Sequence, residues 1–250
     1  MPQLHPAVAA ATTWSEPAFL PDLRKTNCGV VHVVDFRFGR RWVELDSQEH
    51  PDRVSNPTVH CLVFDGFADW EPAFALAELR RSGGLQVTSV GFTSAPVTSM
   101  GGLRILPDRT LTGLRADDVR LLLLPGGDLW EGSYPREQLE QVLRSLDRSQ
   151  VPIAGICGDT LALARAGLLD HRAHTSNAPD YLTGLAPEYR GADRYGDALA
   201  VRDGHLITAS GLGSTEFARE IFEELEVFTP SDRALWYQIF KSGRVPAPST

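Results

Sequence analysis

The chain has 250 residues, with 24 Lys and Arg against 32 Asp and Glu, and its formal net charge is -8. An acidic chain with scattered arginines lacks the cation cluster that releases counterions from a phosphate backbone, which excludes a nucleic-acid partner. No run approaches the ~20 apolar residues that cross a bilayer, and no basic flank followed by an apolar segment opens the sequence, so no membrane association is expected.

Residues 1–57 are rich in Pro and polar residues and carry no helical periodicity, and they are expected to form an N-terminal extension. Within it, VVHVVDFRF and RWVEL flank Gly39-Arg40, and Val34, Phe36 and Phe38 alternate with Asp35 and Arg37, the pattern of a β-hairpin. Cys28, His32 and His50 lack metal-ligand spacing, and no metal or other cofactor is expected. The cysteines Cys28, Cys61 and Cys157 make no even disulfide framework, so a reducing cytoplasm is the simplest setting.

From Thr58 the pattern becomes regular. VHCLVFDG (59–66) reads as a buried strand ending in a turn, and Glu71 to Arg81 places Phe74, Leu76 and Leu79 at helical spacing. LQVTSVGF (85–92) is a second strand, 97–106 a hairpin-like excursion, and VRLLLLPGG (119–127) a third strand ending in Pro-Gly-Gly. A helix is expected over Arg136 to Arg148, then the apolar run VPIAGI, which stops at Cys157 before a helix over Asp159 to Ala166. ALAVRDGHLITAS (198–210) reads as a hairpin across Asp203-Gly204, and Thr215 to Leu225 as a helix. A C-terminal helix and tail over 229–250 opens on Ser231 as N-cap, with Leu235, Trp236, Ile239 and Phe240 on a packing surface.

Continuous apolar strands alternating with helices predict an α/β domain over 58–228: a doubly wound, flavodoxin-like, mainly parallel sheet sandwiched by helices. Ligands of such sheets bind beyond the carboxyl ends of the strands. Three ends converge there: Asp65-Gly66 leading to Glu71, Pro125-Gly126-Gly127, and Cys157. Cys157 lies between Gly155 and Gly158 where strand gives way to helix, the setting of a nucleophile elbow. The following helix would direct its positive end at the sulfur and favour thiolate. The ordinary alternative is a cysteine that acts as a small core residue.

Five segments, DGFADWE (65–71), LLLLPGGDLWE (121–131), AGICGDTLALARAGLL (154–169), HTSN (174–177) and ASGLGSTEFAREIFEEL (209–225), resemble the ThiJ/PfpI superfamily. This glutamine-amidotransferase-like group includes the Parkinson-associated deglycase and bacterial PfpI proteases, and its bacterial branch, named for amidotransferases and proteases, is the most similar. The resemblance implies that Cys157 is the nucleophile and Glu71 the acid against it, protonated and donating to a thiolate. Amides of Gly127 and Gly158, beside Gly126, would form the oxyanion hole, with Asp159 and Asn177 at the substrate. Asn177 stands where hydrolytic members carry histidine, and Asn is no general base; His174, three residues earlier, is the substitute candidate. The resemblance further implies a homodimer and a small-molecule substrate. Its functions rank as a glyoxalase- or deglycase-like enzyme working through a Cys157 thiolate, a stress or chaperone-like protein oxidised at Cys157, and a cysteine peptidase, amidase or glutamine-amidotransferase-like hydrolase.

Overall fold

The computed structural model describes residues 57–245. The expected hairpin and the residues Cys28, His32 and His50 lie outside the described residues.

Nine strands and six α-helices follow in the order β1 (Thr58–Val63), α1 (Ala73–Arg81), β2 (Val87–Gly91), β3 (Val97–Thr98), β4 (Arg104–Ile105), β5 (Arg109–Thr110), β6 (Val119–Leu124), α2 (Arg136–Arg148), β7 (Ile153–Ile156), α3 (Thr160–Arg165), α4 (Pro179–Leu185), β8 (Ala200–Asp203), β9 (Leu206–Ala209), α5 (Ser214–Glu224) and α6 (Pro230–Ser242), counted among the described residues. Seven strands form one sheet in the order β5-β2-β1-β6-β7-β9-β8, and every pairing in it is parallel except the β8/β9 hairpin. β3 and β4 form the separate antiparallel excursion, pairing Val97 with Ile105.

Side chains alternate across a pleated strand, so a strand buried on both faces feeds two cores. Leu122 and Leu124 of β6, Ile153 of β7 and Leu206 of β9 join Leu139, Leu143 and Leu161 of α2 and α3 on one face. Leu121 and Leu123, Ala154 and Ile156, and Ile207 and Ala209 join Leu79 of α1 and Phe217, Ile221 and Phe222 of α5 on the other. This is the doubly wound, mainly parallel arrangement expected from the sequence.

Three local boundaries differ from expectation. α1 starts at Ala73, so Glu71 precedes the helix, in the turn that leads into it. Cys157–Asp159 forms a tight 3-10 turn, and α3 spans only Thr160–Arg165. The cap of α6 is Thr229, whose hydroxyl accepts the Asp232 amide at 3.2 Å, because Pro230 takes the first helical position and puts Ser231 inside the helix. On α6 the aromatics pack as expected: Trp236 is buried against Phe222 (4.8 Å between centroids) and Phe74 (6.1 Å), and the half-exposed Phe240 lies on Trp236 (4.7 Å) and Phe74 (5.2 Å), while Leu235 stays exposed. β5 and α4 have no periodicity to announce them.

Candidate active site

β7 is a four-residue apolar strand in mid-sheet, and it ends where Cys157 takes φ +62°. A residue with a side chain is strained in this left-handed region, and such outliers persist only where surroundings hold them. Here the Thr160 hydroxyl donates to the Cys157 carbonyl at 2.7 Å and lies 2.6 Å from the Ser176 hydroxyl, fixing the turn from below.

Two glycines then admit the cysteine. A Cβ on Gly126 would lie 2.6 Å from Cys157 Cβ, 2.8 Å from Glu71 Oε2 and 2.9 Å from Cys157 Sγ. One on Gly211 would lie 3.0 Å from Sγ and 3.4 Å from Glu71 Oε1. The carboxyl of Glu71 and the thiol therefore share one slot between the ends of β6 and β9. Glu71 is buried, and its Oε2 accepts the Gly126 amide at 2.6 Å. Asn177 closes the slot, its Nδ2 donating to Cys157 Sγ at 3.4 Å while its Oδ1 accepts the Gly211 amide at 3.0 Å.

Burial pushes the Glu71 carboxyl up to about 7, against the opposing bonds from Gly126 and Cys157. Burial, followed by the negative charge of Glu71, pushes the Cys157 thiol up to about 11, although Asn177 and the Gly158 amide favour thiolate. This corrects the expectation of a thiolate stabilised by the helix dipole: α3 is short and desolvation outweighs it. Both shifts favour the protonated forms, a Cys157 thiol beside the Glu71 carboxyl.

The remaining predicted residues divide. The Gly158 amide bonds to the cysteine side chain, and a Cβ on Gly158 would meet Trp130 Cδ1 at 3.0 Å, so both the amide and the bareness of this glycine belong to the site. The Gly126 amide is engaged by Glu71 rather than free for an oxyanion. Gly127, at φ +150°, turns its carbonyl toward Gly158 and packs against Phe64 and the Gly66 carbonyl. His174 is fully buried away from solvent: its Nδ1–H donates to the Arg172 carbonyl at 2.7 Å and its Nε2 accepts the Tyr189 hydroxyl at 2.6 Å. Both ring nitrogens are occupied and burial lowers its pKa, so the structure places a neutral packing histidine where a base was expected.

Asp159 also lies beneath the site rather than in contact with an incoming molecule. It is 0% exposed, neither carboxyl oxygen has a hydrogen-bond partner among the described residues, and Oδ2 fills the space left by the missing side chain of Gly155. Burial, with the charge of Glu71 behind it, raises its pKa well above the ordinary value. In the unfolded chain this carboxyl ionises near pH ~3.9, so above that pH the folded state holds a proton the unfolded state has lost, and stability falls as pH rises. Asp159→Ala is therefore expected to raise the melting temperature at pH 8, with the advantage shrinking at pH 5. Thermal unfolding at the two pH values checks this; an equal loss at both would show that the side chain matters only by packing.

Sequence reasoning missed two members of the site. Gly211 is marked only by a Gly-rich turn after a strand, a pattern that by itself indicates no more than a connection. Tyr181 comes from α4, whose Pro179 at the first helical position is a usable start signal. Its hydroxyl lies 3.4 Å from where a Cβ on Gly158 would be and donates to Glu131 Oε1 at 3.0 Å.

A parallel sheet wound on both faces, with a cysteine in a strained strand-to-helix turn and a buried acid against it, defines an α/β protein with a nucleophile-elbow-like centre. The chain belongs to the DJ-1/PfpI family, whose profile matches residues 57–224 and therefore the whole of that arrangement. It is 37% identical over 191 residues to the uncharacterized protease YoaZ of Bacillus subtilis, covering 74% of this chain and 90% of that one. It is 30% identical over 146 residues to the glutathione-independent glyoxalase DJR-1.2 of Caenorhabditis elegans, covering 58% and 75%. The crystal structure of the DJ-1 superfamily protein Atu0886 of Agrobacterium tumefaciens superposes with a TM-score of 0.70 at 35% identity, over 75% of this chain and 98% of that one. Among the described residues no helix is long and apolar enough to cross a membrane.

Proposed function

We propose that the protein is a cysteine-dependent enzyme that converts a small reactive carbonyl compound, an α-oxoaldehyde, to a hydroxy acid. The observation that carries this reading is the shared slot, with the Cys157 thiol and the buried Glu71 carboxyl pressed together between Gly126 and Gly211. Attack by the sulfur on the aldehyde carbon forms a C–S bond while Glu71, ionised, takes the thiol proton. The Gly158 amide and Asn177 Nδ2, both directed at the sulfur in the free protein, are the donors available to the new oxyanion. Protonation gives a hemithioacetal. Glu71 then moves the C1 proton to C2 through an enediol, and water cleaves the resulting thioester to release the hydroxy acid and the thiol. With methylglyoxal the balance is methylglyoxal plus water to lactate plus one proton.

Peptide hydrolysis asks for more, because an amine leaving group must be protonated. The groups bonded to Cys157 among the described residues are a carboxyl, a carboxamide and a backbone amide, and His174 is committed elsewhere. The reading is tested by lactate formation from methylglyoxal. Wild type is expected to turn over, and Cys157→Ala to fall to background; no turnover by wild type, or equal turnover by the variant, removes it.

A further inference from the structure

We propose that Glu131, held by Tyr181 at the rim of the Cys157 site, makes this site reject anions, so that the carbonyl compounds it takes are uncharged or cationic. As a statement about substrates this rests on the enzyme reading above; as a statement about the field at the sulfur it stands alone.

Gly158 has the Tyr181 hydroxyl beside it, at 3.4 Å from a Cβ position, and that hydroxyl donates to Glu131 Oε1 at 3.0 Å. A carboxylate is thus fixed one hydroxyl away from the backbone that borders the thiol, and it stands exposed on the solvent side of the site. Burial and the acceptor Glu131 both raise the Tyr181 phenol, so it keeps its proton and goes on orienting the carboxylate. No ion pair neutralises Glu131 among the described residues.

The cation that acts on Tyr181 is Arg165. Its guanidinium donates to the Trp130 carbonyl at 2.7 Å, the Leu185 carbonyl at 3.0 Å and the Tyr134 hydroxyl at 3.4 Å. It ties the turn carrying Glu131 to α4 through neutral acceptors rather than facing the thiol. The charge that bears on Cys157 itself is that of Glu71, a second anion. An incoming carboxylate such as glyoxylate therefore approaches with Glu131 at the rim and Glu71 against the sulfur, and no guanidinium or ammonium of the described residues bonds to the thiol. A unit charge one Debye length away, about 8 Å at physiological salt, changes an encounter rate by a factor of roughly 1.4 in a water-like medium to roughly 4 near a protein surface.

The test reads this field without needing turnover. Cys157 in the full chain is modified with methanethiosulfonates bearing an ethylammonium or an ethylsulfonate group, each rate divided by that for the uncharged methyl reagent, with the adduct located by mass. The ammonium-to-sulfonate ratio is expected to exceed that of a neutral model thiol by about fivefold, to fall at least twofold in Glu131→Gln, and to fall further in Glu131→Lys. A wild-type ratio at the model-thiol value, or a ratio unmoved by both substitutions, overturns the proposal. Methylglyoxal and glyoxylate supply the second arm: preference for the uncharged substrate should shrink in Glu131→Gln. Absence of turnover with either substrate counts against the enzyme reading and leaves the reagent ratios to decide this one.

Discussion

Gly126→Ala is expected to lower the rate of Cys157 alkylation by iodoacetamide, and carbonyl turnover with it, by at least about a hundredfold while the sheet stays folded. The added methyl would stand 2.6 Å from Cys157 Cβ, 2.8 Å from Glu71 Oε2 and 2.9 Å from Sγ, and none of the three can yield cheaply. Cys157 is set by its φ of +62°, and Glu71 is tethered by the amide of Gly126 itself at 2.6 Å. Relief must come from pushing thiol and carboxyl apart, and a displacement near 1 Å in such a constellation costs on the order of a hundredfold in rate. Gly211→Ala makes a graded control, because its methyl meets Cys157 Sγ at 3.0 Å, Cys157 Cβ at 3.2 Å and the other Glu71 oxygen, Oε1, at 3.4 Å and should cost less. Circular dichroism establishes that both variants fold. A Gly126→Ala protein that reacts within threefold of wild type would mean that the slot is not the reactive conformation.

The same glycines show what sequence can carry. Strands and helices are legible because period and length are local properties: the run Val119–Leu124, buried on both faces, and the helix Arg136–Arg148 emerge where expected. The elbow is legible for a related reason, since glycines on both sides of a cysteine at a strand end leave room for a tight turn that bulkier neighbours would block. What escapes depends on tertiary approach. Gly211 matters because β9 delivers its turn against a sulfur just past the end of the neighbouring strand β7, and nothing within its own segment records that pairing. His174 and Asn177 are three residues apart, and strand parity alone cannot assign their roles. The segment forms only an isolated bridge from His174 to Tyr195, after which the chain bends and sends the imidazole inward and the carboxamide to the thiol. Asp159 stands two places from Cys157 in the chain, but the empty side of Gly155 draws it into the core.

Glu71→Gln is expected to separate the two protonation accounts of this site, because they predict opposite things of one titration. If a helix dipole activated the sulfur, the pH midpoint for Cys157 alkylation would lie below the ordinary thiol value of about 8.5 and would barely respond to Glu71. In the structure burial comes first and the charge of Glu71 second, so the wild-type midpoint should lie above that value. Replacing the carboxylate by a carboxamide removes a negative charge from the slot and leaves an amide able to donate to sulfur. Both changes stabilise thiolate, and the midpoint should fall by about one pH unit or more, a unit corresponding to ~1.4 kcal/mol between protonation states. Turnover should move the other way. With its proton acceptor gone, Glu71→Gln should lose about 10²–10⁴ in kcat/KM, the usual worth of a positioned acid-base group. The wild-type rate should rise with pH through about 7, where Glu71 ionises. The more reactive thiol would then belong to the poorer enzyme. A midpoint that rises or stays fixed in Glu71→Gln would instead make Glu71 a structural acid that holds Gly126 in place, and the proton acceptor for Cys157 would have to be sought elsewhere.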